Sequence, residues 1–453
     1  MTTDAVFFAE WEARAPGDRR SLDRARHLLA LLGVERAPAP VLTVVGSKGK
    51  GTAATYASAW LAAAGRTVVT VTSPALRGNA ERVRVNGARI PDGELARLAG
   101  LLGRALSEMP GVETIPGYLS PSGLFTVAGI LHAARVRADA IVLEAGMGGG
   151  GDEVSLFPPA VAGLTEIFAE HVGVLGDTTV DIAREKSSVV SAGTRAVLTL
   201  PQTPDVLDAV RRTVAARAGI DVEVMDAGVV DADVVNPVVV DAGVDVGRAG
   251  IPNGLLRNGL PPNGLLPSGL PLDGLLPPAY GRRNALLGCA AARRLLEILG
   301  AAPPDGERLA RVLGSVTLPG RLSTHPVPGH ETTTVLVDSA INREGVATAL
   351  AVARARHRAV DHVLLCLPDH KDLPGAVAEL AGLPVTFVRL ALGHLSFSTP
   401  LPAHWNVVGE DELTPGLLAG LGRELVALGT VYFTGKLLDV LDAPTDRLFI
   451  PDA

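Results

Sequence analysis

The stretch Val41-Leu-Thr-Val-Val-Gly-Ser-Lys-Gly-Lys-Gly-Thr52 constrains this chain more than any other. An apolar, β-branched run at residues 42–45 reads as a strand buried on both faces. It breaks into Gly46, Gly49 and Gly51, which let the backbone turn tightly and bring its N–H groups close to an anion. Thr52 then opens an Ala-rich segment, residues 53–64, that favours helix and can be ended by Gly65. A helix N-terminus facing phosphate follows from that order, with Lys50 reaching terminal phosphates and the Thr52 hydroxyl suited to Mg²⁺. The spacing is shorter than the general Gly-x4-Gly-Lys-Ser/Thr pattern, so the flanking strand and helix, more than the glycines, argue against a plain glycine turn.

A length of 453 residues calls for two or three domains. The net charge of −7 argues against a broad nucleic-acid or anionic-membrane surface, so any anion must be held locally. Cys289 and Cys366 show neither a disulfide framework nor metal-ligand spacing, and both are expected as small core residues. The N-terminus lacks a signal-peptide layout and no apolar run is long enough to span a bilayer, so a cytoplasmic address is expected.

Residues 18–34 carry helical spacing, with Ser21 as cap and Gly33 as stop. The run Thr67–Thr72 completes a β-α-β unit, hence a parallel sheet, and ends in Thr72-Ser-Pro-Ala-Leu76 at its ligand edge. Glu144 ends the buried run 140–143, where an unpaired carboxylate is costly and a cation would offset that cost. His171 follows another apolar stretch, and each of the two also has a bland reading as a hydrogen-bonded structural residue. Lys186 lies on an amphipathic segment, where pairing with an acid one turn earlier is the simple alternative. A helix follows over residues 205–218, then short Val-rich runs from 222 to 246 read as strands at the sheet margin. From Asn253 to Pro277 a five-residue unit such as Asn-Gly-Leu-Leu-Pro repeats, which forbids regular helix or central strand and marks an exposed insertion at about 250–278. A further helix is expected to open at Asn284, and Leu318-Pro-Gly-Arg321 marks a hinge. Beyond it, strands are expected at 334–337, 362–367, 385–390 and 430–433, alternating with helices. Asp338 sits at a strand end, as a ribose ligand or as a cap for the next helix.

The ordered set Gly-Ser-Lys-Gly-Lys-Gly-Thr, Thr-Ser-Pro-Ala-Leu, Glu81-Arg-Val-Arg-Val-Asn-Gly87, Ile141-Val-Leu-Glu-Ala-Gly-Met-Gly-Gly149, residues 177–186, Leu318-Pro-Gly-Arg-Leu322, residues 335–342, Lys371-Asp372 and Thr434-Gly-Lys-Leu437 resembles the folylpolyglutamate synthase and dihydrofolate synthase family of the Mur-type ligases. The resemblance implies an α/β fold: a P-loop Mur-ligase-type ATPase domain with a mostly parallel sheet over residues 1–317, and a smaller Rossmann-like α/β domain over 318–453. It implies an ATP- and Mg²⁺-dependent ligase that joins an amino acid such as glutamate to a folate-like or other carboxylate through an acyl phosphate, acting as a monomer on small molecules. Carried over residue by residue, Thr52, Ser73, Glu144 and His171 surround the metal, Lys186 is carbamylated, Asn284 approaches adenine, Arg321 bridges phosphate and Asp338 takes the ribose, while Gly46, Gly49, Lys50, Gly51 and Thr52 hold the triphosphate. Ala75, Ile341, Gly150, Glu170 and Lys48 depart from the family's usual residues, which bears most on the acceptor. A non-catalytic nucleotide-binding scaffold that kept the fold is the contrasting expectation, and a plain NTPase switch a third.

Overall fold

In the computed structural model, residues 3–225 and 274–452 are described, apart from 358 and 394. The first sheet holds the strands β1 (Val41–Val45), β2 (Val68–Val71), β3 (Val83–Val85), β4 (Ala88–Arg89), β5 (Ala140–Glu144), β6 (Val161–Leu164), β7 (Ala196–Thr199) and β8 (Val222–Val224). Among the described residues their order is β4-β3-β2-β5-β1-β6-β7-β8. From β2 to β8 every pair is parallel, and only the β2–β3 and β3–β4 pairs are antiparallel. All five residues of β1 are buried. Val41 and Val45 enter the apolar cluster on one face, Leu42 and Val44 the cluster on the other, as a strand covered on both sides requires.

β1 lies between β5 and β6: the chain runs from β1 to β2 on one side, and after β5 it crosses to β6 on the other, so the crevice outside the carboxyl end of β1 is the topological switch point of the sheet. The phosphate-loop motif occupies that crevice.

The second sheet comprises β9 (Ser323–Val327), β10 (His330–Asp338), β11 (His362–Cys366), β12 (Val385–Arg389), β13 (Asn406–Gly409) and β14 (Glu424–Gly429), in the order β13-β12-β11-β14-β10-β9. Only the β9–β10 pair is antiparallel. The two-domain α/β fold with mostly parallel sheets is therefore as expected.

Several local expectations need correction. Residues 430–433 are not a strand: β14 ends at Gly429, and Thr430 caps a helix, Val431–Val440, by accepting from the Phe433 N–H. The loop helix begins at Lys50 rather than Thr52. The helix expected to open at Asn284 runs Tyr280–Ile298, so Asn284 lies one turn inside and is not its cap. Asp338 does not cap the helix Arg343–His357; Asn342 accepts from the Gly345 N–H there. Of the Val-rich runs from 222, β8 is observed and residues 226–246 lie outside the described residues. The repeat likewise lies outside them up to residue 273, but its final unit is not a free loop: Leu275 and Leu276 pack on an apolar cluster, and the Leu275 carbonyl accepts from the Tyr56 hydroxyl at 3.2 Å. No helix among the described residues is long and apolar enough to cross a membrane.

Candidate functional site

The loop at the end of β1 is fixed from below. Gly46 has φ +133°, and a Cβ there would stand 2.0 Å from Thr165 Oγ1, so no side chain is tolerated. Its carbonyl accepts from Lys50 Nζ at 3.0 Å and from Lys186 Nζ at 2.8 Å. The Ser47 N–H donates to the Glu166 carbonyl at 3.0 Å, and its hydroxyl donates to the Phe168 carbonyl at 3.2 Å, which ties the loop to the segment after β6. Gly49 has φ +87° and caps the helix Lys50–Ala63; a Cβ there would lie 2.2 Å from the Asn284 carboxamide. The glycine thus lets the loop and Asn284 approach.

Thr52 is the third residue of that helix, where free N–H groups and the helix dipole favour an anion. A Cβ at Gly51, the residue before it, would stand 3.4 Å from Glu144 Oε2; Glu144 is buried at the end of β5 and accepts from the Ser73 N–H at 3.0 Å. Burial raises the Glu144 pKa, against Lys50, the Ser73 N–H, Arg321 and Arg82, which favour the charged form. The Ser73 hydroxyl accepts from Arg82 Nη1 at 3.0 Å. Arg82 stands over the Phe125 ring at 4.7 Å, and burial pushes its pKa down to about 10. Arg82 was not singled out from sequence, although it sits within the quoted motif Glu81–Gly87, immediately before β3.

Lys186 is neither solvated nor paired one turn away. It is buried, donating to Glu170 Oε1 at 2.7 Å and to the loop carbonyl, and burial followed by Lys50 lowers its pKa. Glu170 also lies 3.9 Å from His171 Nε2. His171 is half-exposed, in a left-handed backbone conformation at φ +50°. Burial, with Lys186, Lys371 and Lys50, outweighs Glu170 and lowers its pKa, so the neutral imidazole is favoured. The structure therefore joins Ser73 to Glu144 and sets Glu144 against Gly51 in the first turn of the loop helix, whereas the acid next to His171 is Glu170. Among the described residues no group of three or more His, Cys, Asp or Glu side chains could hold a metal.

A cavity of about 360 Å³ opens over the loop, lined by Lys48, Gly49 and Thr52 from one half and Arg321, Asp338 and Glu344 from the other, with Phe168, Tyr280 and Asn284 on its walls. Asp338 accepts from the Leu322 N–H at 2.9 Å, and burial raises its pKa against Arg321 and Lys48. Asn284 donates to the Tyr280 carbonyl at 2.7 Å, which leaves its buried Oδ1 without a hydrogen-bond partner. A free acceptor beside a cavity is a place for a ligand donor.

Over 377 residues the chain is 28% identical to the dihydrofolate synthase/folylpolyglutamate synthase of Mycobacterium tuberculosis, covering 80% of this chain and 72% of that one. It is 34% identical over 218 residues to a probable bifunctional folylpolyglutamate synthase/dihydropteroate synthase of Halobacterium salinarum, and 31% identical over 368 residues to a protein of the same description from Haloferax volcanii. The chain is similar in sequence to folylpolyglutamate and dihydrofolate synthases. The match covers 47% of this chain and 26% of the Halobacterium protein, and 79% and 40% for the Haloferax one, so it spans less than half the length of either. No protein-family model matches the chain. The apo form of folylpolyglutamate synthase from L. casei superposes with a TM-score of 0.72 at 22% identity, over 97% of this chain and 99% of that one. The M. tuberculosis folylpolyglutamate synthase complexed with ADP and AMPPCP gives 0.71 at 20%, also over 97% and 99%. At these identities the structural likeness is one of fold.

Three departures from the synthase motifs have local explanations or none. Ile341 packs against the apolar cluster of the second sheet. A Cβ at Gly150 would stand 2.0 Å from Ser188 Oγ, and the neighbouring N–H groups of Gly149 and Gly151 donate to Glu185, so this turn is closed against an arginine. Nothing in the structure explains Ala75.

Proposed function

We propose that the chain is an ATP- and Mg²⁺-dependent carboxylate–amine ligase that works through an acyl phosphate, adding glutamate or another amino acid to a folate-like or other carboxylate. The observation that carries this reading is the single cavity that joins the phosphate loop to Arg321 and Asp338 of the other sheet. A plain NTPase needs only the first half; activating a carboxylate and keeping water from the acyl phosphate gives the second half a purpose.

In this reading the N–H groups from Lys48 to Thr52, at the turn into the loop helix, and the Lys50 ammonium hold the triphosphate. Asn284 Oδ1 accepts from the adenine amine, Asp338 accepts from the ribose hydroxyls, and Arg321 grips phosphate from across the cleft. The substrate carboxylate attacks the γ-phosphorus, ADP leaves, and the incoming amine then displaces phosphate from the acyl carbon. Lys50 and Arg321 offset the charge on the transferring group. Thr52, Ser73 and Glu144 offer the oxygen donors a hard cation prefers, and His171 a neutral imidazole. Mg²⁺ held there would neutralise phosphate charge. Lys186 positions the loop through the Gly46 carbonyl. A carbamate on Lys186, which the resemblance implies, would have to displace Glu170 from the amine, and a carbamate resonance in ¹³C-bicarbonate would reveal it. Residues 1–317 and 318–453 are taken as the two closing bodies, in a monomer acting in the cytoplasm.

Mass spectrometry of products tests the reading, with ATP, glutamate and a panel of carboxylates that includes dihydropteroate and a reduced folate. A product heavier by one amino-acid residue is expected. A chain that binds ATP yet yields no adduct across a broad panel of carboxylates and amines would sink it.

A further inference from the structure

Two cations line the cavity without a hydrogen bond or ion pair among the described residues: Arg321 and Lys48. The other two lysines of the site are engaged. Lys50 folds back on the Gly46 and Ser47 carbonyls, and Lys186 is bonded to Glu170 and Gly46. Lys48 sits on the phosphate loop itself, between Ser47, which anchors the loop, and Gly49, which caps the helix.

The surroundings of Lys48 are those of a side chain waiting for an anion. It is half-buried on the cavity wall, and burial lowers its pKa, with Arg321 acting in the same direction. Asp338 and Glu344 act the other way without reaching it as ion-pair partners. The Asp338 carboxylate is held instead by the Leu322 N–H, and Glu344 accepts from the Tyr280 hydroxyl. A partly desolvated ammonium next to a guanidinium is unfavourable until an anion lies between them.

We propose that Lys48 is a second phosphate-binding side chain of the loop, gripping the diphosphate portion of a nucleoside triphosphate from the cavity side opposite Arg321. The proposal rests on the nucleotide reading of the cavity given above. It also gives a reason for a lysine at a position where the resembled family usually carries a small polar residue.

The test is direct binding of ATP, ADP and adenosine, with no acceptor present, to the wild-type chain, Lys48→Met and Lys48→Arg. Lys48→Met is expected to weaken ATP and ADP about tenfold, the scale of one lost charge-assisted hydrogen bond, and to leave adenosine within about twofold. Lys48→Arg is expected to retain most of the affinity. Equal losses for all three ligands, or a loss reproduced in full by Asp338→Asn, would overturn the proposal, because Lys48 would then serve the Asp338 wall and not phosphate. Unchanged binding in Lys48→Met would overturn it too, while leaving the nucleotide reading intact. A wild-type chain that binds none of the three would sink that reading and the proposal together.

Discussion

Glu170 serves two neighbours at once: it receives the buried Lys186 ammonium at 2.7 Å and lies 3.9 Å from the His171 ring. Removing its charge leaves Lys186 buried without a counter-ion. Glu170→Gln is therefore expected to lower stability by about 3 kcal/mol, read as a shift in the denaturant midpoint. The same variant should lower the His171 titration midpoint further below its ordinary value, because Glu170 is the group that raises it. The sign for stability follows. A histidine depressed in the fold contributes stability present above its unfolded pKa and lost as pH falls from there through the folded pKa. An NMR titration in which the midpoint rose in Glu170→Gln would contradict this placement of charges. At this scale much was legible: Glu144 ends a buried strand, and Lys186 shares a helical face with Ile182 and Ala183, all three buried. Its partner was not, since sixteen residues and a loop separate Lys186 from Glu170.

The helix Thr179–Ser187 carries Lys186 and starts in a capping box, in which Thr178 accepts from the Asp181 N–H and Asp181 accepts from the Thr178 N–H. Thr178→Ala is expected to cost about 1 kcal/mol in urea unfolding. A cost near zero would mean that packing alone holds this helix. Elements with a side-chain cap and clear periodicity were readable, as in the helix Leu22–Leu31 behind Ser21. The misread ones share a cause. Thr430-Val-Tyr-Phe433 is a β-branched and aromatic run too short to separate strand from helix by period, and Thr430 is a helix cap. The helix before Asn284 starts at Tyr280 without a side-chain cap, so its first turn carries no start signal.

The two halves of the molecule meet through contacts that no local pattern announces. Arg84 on β3 donates to the carbonyls of Thr445 and Asp446, and Arg77 pairs with Asp439, which fastens the C-terminal segment to the first sheet. The P-loop and the β-α-β order were visible because their signals are local, whereas the cavity exists only after residues 48–52 and 321–344 are brought together. That juxtaposition is what separates a ligase from a simple NTPase, and ADP release measures it most directly. With ATP and Mg²⁺, the account predicts ADP release only when a carboxylate and an amine are both supplied, and its loss in Lys50→Ala. ADP released equally without either substrate, or ATP bound with no turnover for any carboxylate and amine pair, would contradict it.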